Sequence, residues 1–101
     1  MKKIISILGS TGSIGSSSLS IIDKEKNYFN IQLLSANKNF NLIIKQIKKY
    51  KPKYFVISNK EIFNKVFEKI KTKKTKILNN FNSIKLKKNN ILILAIPGIA
   101  G

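Results

Sequence analysis

Short apolar runs alternate with longer amphipathic stretches along the whole chain. Ile4-Ile5-Ser6-Ile7-Leu8 is a β-branched run that ends directly on a glycine, as a buried strand does. Residues 16–26 predict a helix with Leu19 and Ile22 on one face, and Asn27 marks its end. Ile31-Gln32-Leu33-Leu34-Ser35 predicts a second strand. The loop Ala36-Asn37-Lys38-Asn39 follows, with Asn39 placed to cap the next helix. That helix has the clearest pattern: Phe40, Ile43, Ile44 and Ile47 recur at i, i+3, i+4 and i+7, and Lys45, Lys48 and Lys49 fill the other face. Lys51-Pro52 ends it, because proline disfavours α geometry in the residue before it.

Tyr54-Phe55-Val56-Ile57 predicts a third strand, and Ser58 or Asn59 caps a third helix whose core side carries Ile62, Phe63, Val66, Phe67 and Ile70. Beyond it the pattern weakens. Lys76-Ile77-Leu78 fits a short strand, and the polar stretch 79–90 fits a short helix around 81–84. Ile91-Leu92-Ile93-Leu94-Ala95 fits a further strand, turning at Ile96-Pro97-Gly98-Ile99-Ala100-Gly101. Strands alternating with helices predict the α/β class, and uninterrupted apolar strands fit a parallel sheet covered on both faces. With right-handed crossovers the expectation is a Rossmann-like doubly wound parallel sheet. The 101 residues suffice for one small domain and not for two, so the sheet is expected to be incomplete.

The loop after the first strand carries the candidate chemistry. Gly9-Ser10-Thr11-Gly12-Ser13-Ile14-Gly15 reads G-x-x-G-x-x-G between a strand and a helix, the setting in which such a loop cradles phosphate. Gly9 allows a tight turn, Gly12 allows close approach of the backbone to a pyrophosphate, and Gly15 allows the helix to pack against the strand. Free N–H groups at the helix start bind the phosphates, and Ser10, Thr11 and Ser13 add hydroxyl donors. A nucleoside-triphosphate loop is excluded, because the Gly-Lys-Ser/Thr ending is absent. NAD-binding loops place an acid near the end of the second strand; here there is none, and Lys38 offers a point charge suited to a 2′-phosphate. Lys38 is also one more lysine in a chain full of them.

Charge adds a rival reading. The formal net charge is +16 and all 20 basic residues are lysine. A balance this basic fits a nucleic-acid binder, but such binders also use Arg, whose planar fork reads guanine and phosphate. The abundance of Lys, Ile and Asn fits A/T-rich codons, and most lysines fall on the polar faces of amphipathic segments. Nucleic-acid binding is therefore disfavoured. With no Cys and no His, disulfide frameworks, thiolate or imidazole metal sites and Ser-His chemistry are excluded. The longest apolar run, 91–97, is far short of the roughly 18–20 residues that span a bilayer, and no secretory leader follows Met1-Lys2-Lys3. No membrane partner is expected, and the cytoplasm is the default location.

Ile7-Leu8-Gly9-Ser10-Thr11-Gly12-Ser13-Ile14-Gly15, followed by Ser18-Leu19 and Ile21-Ile22, resembles the N-terminus of the 1-deoxy-D-xylulose 5-phosphate reductoisomerase family. Tyr28-Phe29-Asn30-Ile31, Ala36-Asn37-Lys38-Asn39, Lys51-Pro52-Lys53-Tyr54 and Ala95-Ile96-Pro97-Gly98-Ile99-Ala100-Gly101 extend the resemblance over the whole chain. It implies an NADPH-dependent enzyme. That enzyme rearranges and reduces 1-deoxy-D-xylulose 5-phosphate to 2-C-methyl-D-erythritol 4-phosphate in non-mevalonate isoprenoid biosynthesis, with Mg²⁺ or Mn²⁺, as a homodimer. It further implies that Thr11, Gly12, Ser13 and Ile14 hold the NADPH pyrophosphate and that Asn37, Lys38 and Asn39 surround the adenosine ribose phosphate.

Two residues depart from the family pattern: Asn37 stands where glycine is common, and Pro97 removes an N–H from the last turn. The family's Leu-Ala-Asn-Lys-Glu-Ser segment does not follow Gly101. Of the acids only Asp23, Glu25, Glu61 and Glu68 are present, spread over two helices. No catalytic residue or metal ligand is expected in this chain, which by itself is expected to be an inactive fragment. A different NADP-linked oxidoreductase is the alternative enzyme reading. The short-chain class needs a Tyr-x-x-x-Lys pair, which none of the tyrosines provides.

Overall fold

A computed structural model describes residues 3–25, 28–71, 74–82, 84 and 90–94, without the side chains of residues 13, 14 and 90–94. The described elements are β1 (Lys3–Leu8), α1 (Ser13–Lys24), β2 (Phe29–Ala36), α2 (Phe40–Tyr50), β3 (Tyr54–Ile57), α3 (Lys60–Lys69), β4 (Lys76–Leu78) and β5 (Asn90–Leu94). The strands form one five-stranded sheet in the order β4-β3-β2-β1-β5, and every neighbouring pair is parallel. The chain steps one way from β1 to β4, then places β5 on the far side of β1. This is a Rossmann-like arrangement, with the topological switch point between β1 and β5.

Right-handed steps in one direction put their helices on one face of the sheet. The core agrees: Leu19 and Ile22 of α1, Ile43, Ile44 and Ile47 of α2 and Val66 of α3 join one cluster with Ile5, Ile7, Leu34, Ala36, Phe55 and Ile57. Leu33 and Val56 point to the opposite face and are also buried. Both faces of the central strands are therefore covered, which is why their sequences run apolar without alternation. A bulge interrupts the pairing of β1 with β2: Ile5 opposes Ile31 but Ser6 opposes Leu33, leaving Gln32 as the extra residue. Alternation restarts after it, so Ile31 and Leu34 both face the helices.

Several boundaries differ from the sequence expectation. Helix α1 starts at Ser13 and not at residue 16, because Gly12 in extended geometry already acts as its N-cap. It ends at Lys24; residues 26 and 27, where its end was expected, lie outside the described residues. Asn39 and Asn59 cap α2 and α3, accepting from the N–H of Leu42 at 3.2 Å and of Ile62 at 3.1 Å, so Asn59 and not Ser58 is the third helix's cap. Lys51 leaves α2 in the left-handed region at φ 47°. Phe67 is 56% exposed and not on the core side. It lies one step round the helix from Val66, on an open surface that it shares with Ile70 at the C-cap of α3 and with Ile77 and Leu78 of β4. In the stretch where a short helix is expected, Ile84 N–H donates to the Phe81 carbonyl at 3.2 Å; residues 83 and 85–89 lie outside the described residues. Ala95 and the expected turn at 96–101 lie outside them too.

Candidate functional site

The chain turns from β1 into α1 at the carboxyl edge of the sheet, beside the switch point. Gly9 adopts φ 83°, a region that L side chains rarely enter. Its N–H is shared between the Ser35 carbonyl at 3.0 Å and Ser35 Oγ at 3.1 Å, and the Ser10 N–H donates to the same carbonyl at 2.8 Å. The Gly12 N–H closes the turn on the Gly9 carbonyl at 3.2 Å. Three loop amides are thus tied inward, to β2 and to the loop itself.

The next amides are not. The first intrahelical bond runs from Ser16 N–H to the Gly12 carbonyl at 2.8 Å. The N–H groups of Ser13, Ile14 and Gly15 precede it in the first turn, where helix geometry supplies no acceptor. Gly12 has no side chain to cap them, whereas α2 and α3 each begin under an asparagine. The start of α1 therefore presents uncapped donors at the positive end of a helix dipole, the arrangement that attracts phosphate.

Gly15 is what lets the helix start so close to the turn. A Cβ there would lie 2.2 Å from the Gly9 carbonyl oxygen and 2.7 Å from Ser10 Cα. The close approach is to the turn itself, one step beyond the strand contact expected from sequence.

Ser10 does not fit its expected part as a hydroxyl donor to phosphate. It is fully buried, and its Oγ donates to Gln46 Oε1 at 2.7 Å and lies 3.3 Å from the Ser35 carbonyl. Burial beneath the turn turns this hydroxyl away from the outer surface. Thr11 and Gly12 are half-buried at the tip, and the side chains of Ser13 and Ile14 lie outside the described structure.

Asn37, Lys38 and Asn39 are all exposed in the loop after β2, the strand next to β1. Asn37 Oδ1 accepts from Ser58 Oγ at 2.9 Å, joining the loops after β2 and β3. Among the described residues Lys51 is the only non-glycine residue with a positive φ. Asn37 therefore replaces glycine without left-handed geometry. Asn39 Oδ1 is taken by its capping bond. Among the acids, Asp23 sits 3.3 Å from Lys49 Nζ, while Glu25, Glu61 and Glu68 are exposed. No group of three potential metal-binding side chains comes together among the described residues, and no described helix is long and apolar enough to cross a membrane.

Sequence reasoning missed Gln46, Ser35 and Ser58, which fix the two loops. A signal existed for Gln46: it lies three residues after Ile43 on the apolar stripe of α2, where a polar residue needs a reason.

Comparison with known proteins gives a consistent result. The family model described as 1-deoxy-D-xylulose 5-phosphate reductoisomerase matches residues 5–101. The protein of that name from Pelagibacter ubique (strain HTCC1062) is 40% identical over 103 residues, covering 100% of this chain and 26% of the relative. The chain thus spans about a quarter of the length of that curated relative. The Zymomonas mobilis reductoisomerase solved with NADPH superposes with a TM-score of 0.72 at 26% identity, over 77% of this chain and 21% of that one. A reductoisomerase solved with NADPH, fosmidomycin and magnesium gives a TM-score of 0.63 at 28% identity, over 75% of this chain and 19% of that one.

Proposed function

This chain belongs to the 1-deoxy-D-xylulose 5-phosphate reductoisomerase family, and we propose on that premise that residues 1–101 are the N-terminal part of its NADPH-binding domain. The observation that carries the proposal is the uncapped first turn of α1 at the switch point, with its turn closed by Gly9 at φ 83° and Gly12 as a bare N-cap. The chain's residues fit the cofactor. The amides of Thr11, Ser13, Ile14 and Gly15 receive the pyrophosphate, while Gly9, Ser10 and Gly12 shape the loop from behind. Asn37, Lys38 and Asn39 lie on the neighbouring loop, where the adenosine ribose and its 2′-phosphate fall. Lys38 supplies the charge there, and Asn39 holds the loop to α2.

In the whole enzyme NADPH supplies a hydride for the conversion of 1-deoxy-D-xylulose 5-phosphate to 2-C-methyl-D-erythritol 4-phosphate. The part played by this chain is to bind and orient the dinucleotide. The described residues do not fit a divalent metal site, so no step through Mg²⁺ or Mn²⁺ is assigned to them. The same reading carries a homodimer and a cytoplasmic location for the whole enzyme.

The test is a pair of fluorescence titrations of the purified protein, one with NADPH and one with NADH, repeated on Lys38→Ala. NADPH is expected to bind more tightly, and the substitution to narrow the gap. Equal or tighter binding of NADH by the unsubstituted protein would sink the cofactor assignment.

A further inference from the structure

Gln46 lies on the buried side of α2 beside Ile43 and Ile47, with 4% of its surface exposed. An apolar residue of similar volume would pack there equally well. Its amide instead makes two hydrogen bonds, both to one residue of the glycine loop, 36 positions away in sequence. Nε2 donates to the Ser10 carbonyl at 2.9 Å, and Oε1 accepts from Ser10 Oγ at 2.7 Å. A carbonyl oxygen only accepts, so the NH₂ group must face it and the amide can take one orientation only. The match is reciprocal: removing Gln46 strips a partner from a buried carbonyl and a buried hydroxyl at once.

Ser10 stands between the left-handed Gly9 and the cap Gly12, so whatever holds Ser10 sets where the first-turn amides of α1 point. Gln46 also belongs to the helix that begins directly after Asn37-Lys38-Asn39. We infer that Gln46 is a positioning residue for the dinucleotide: it clamps the glycine loop to α2, fixing the pyrophosphate cradle relative to the ribose-phosphate loop. The inference rests on the NADPH reading given above. Gln46 touches no part of the cofactor. It acts through the backbone of Ser10, which is tied from the β2 side by the Ser35 carbonyl. Removing the clamp leaves Ser10 held by Ser35 and, at 3.4 Å, by Ser16 Oγ, and unties the loop from α2.

Gln46→Met keeps the length and volume of the side chain and loses both bonds. NADPH and 2′-AMP, which carries the ribose phosphate without a pyrophosphate, are titrated against the unsubstituted protein, Gln46→Met, Ser10→Ala and the double variant. Thermal melts are run alongside. Gln46→Met is expected to weaken NADPH about tenfold while 2′-AMP changes by less than about twofold. The two single substitutions are expected to be non-additive for NADPH, because they remove the same contact.

A merely structural role lowers both affinities together with the melting temperature, and that result overturns the inference. So does unchanged NADPH affinity in Gln46→Met. If Gln46→Met fails to fold, Ser10→Ala decides, since it removes the hydroxyl's contacts to Gln46 and Ser35 and keeps both backbone bonds of Ser10; equal loss of both ligands, or of neither, overturns the clamp. Failure of the unsubstituted protein to bind NADPH overturns the cofactor reading itself, and this inference with it.

Discussion

Alanine at position 15 sets two physical effects of opposite sign against each other. Gly15 lies inside α1, where replacing glycine by alanine favours the helix by about 1 kcal/mol. The added Cβ, however, would stand 2.2 Å from the Gly9 carbonyl oxygen and 2.7 Å from Ser10 Cα. Ordinary contact needs roughly 3.4 Å, so the turn and the helix must separate by about 1 Å. Both clashing groups are backbone, so no rotamer change relieves them. They are also the backbone that Ser35 and Gln46 hold in place. Overpacking of this kind costs about 3 kcal/mol, which leaves a net loss of about 2 kcal/mol after the propensity gain. For a domain of this size that corresponds to a melting temperature lower by about 10 °C. Urea unfolding should show a lower midpoint with an unchanged slope. Ser17→Ala on the exposed side of the same helix is the control and should be neutral or slightly stabilising. A Gly15→Ala protein as stable as the original, or more stable, would refute the close-approach argument and leave helix propensity in charge of this position.

Lys51→Gly should stabilise the protein by about 1 kcal/mol in the same urea assay, because Lys51 sits at φ 47° at the C-cap of α2, where glycine carries no Cβ penalty; a loss would mean that the lysine side chain contributes more there than its backbone costs. The Lys49 pKa is raised, first by its hydrogen bond to Asp23 and then by the charges of Tyr50 and Asp23. A raised lysine stabilises fully below its ordinary pKa and loses that contribution as the pH rises through the higher folded value. Melts of the original protein and Asp23→Asn should therefore differ slightly at neutral pH and converge in strongly alkaline buffer; a gap that persists there would mean that Asp23 acts through packing.

What the sequence made legible was whatever local rules decide. The periodicity of Phe40, Ile43, Ile44 and Ile47 predicted α2, Asn39 predicted its cap, and the cap of α3 was narrowed to Ser58 or Asn59, of which the structure uses Asn59. The glycine spacing predicted a tight turn at Gly9. The features that escaped depend on partners distant in sequence. Nothing near Gln46 or Ser35 indicates that both reach Ser10. The polar Gln32 interrupts the run Ile31-Gln32-Leu33, but one polar residue does not by itself tell a bulge from ordinary alternation. Phe67 looks like core on a helical wheel and is more than half exposed, which the pattern of α3 alone does not disclose. Ser10 differs for the same reason: a serine in a phosphate-type loop reads as a hydroxyl donor to phosphate, and only the second strand and helix claim it instead.

The loops at the carboxyl edge share one construction, and it bears on how the site works. Gly9 and Ser10 donate to the carbonyl of Ser35 near the end of β2, and Ser58 donates to the carbonyl of Ala36, the last residue of that strand. Asn79 Nδ2 donates to the carbonyl of Ile57, the last residue of β3, at 2.8 Å. The described loops after β1, β3 and β4 thus each hang from the strand beside them. This inward bonding commits the amides of Gly9, Ser10 and Gly12 while the first-turn amides of α1 stay uncapped. A phosphate meeting donors already fixed in direction does not have to order the loop as it binds, so less of the binding energy is lost to conformational entropy. On the proposed reading, the inward-facing serines and Gln46 contribute to ligand binding without touching the ligand: they fix in advance where the outward amides point.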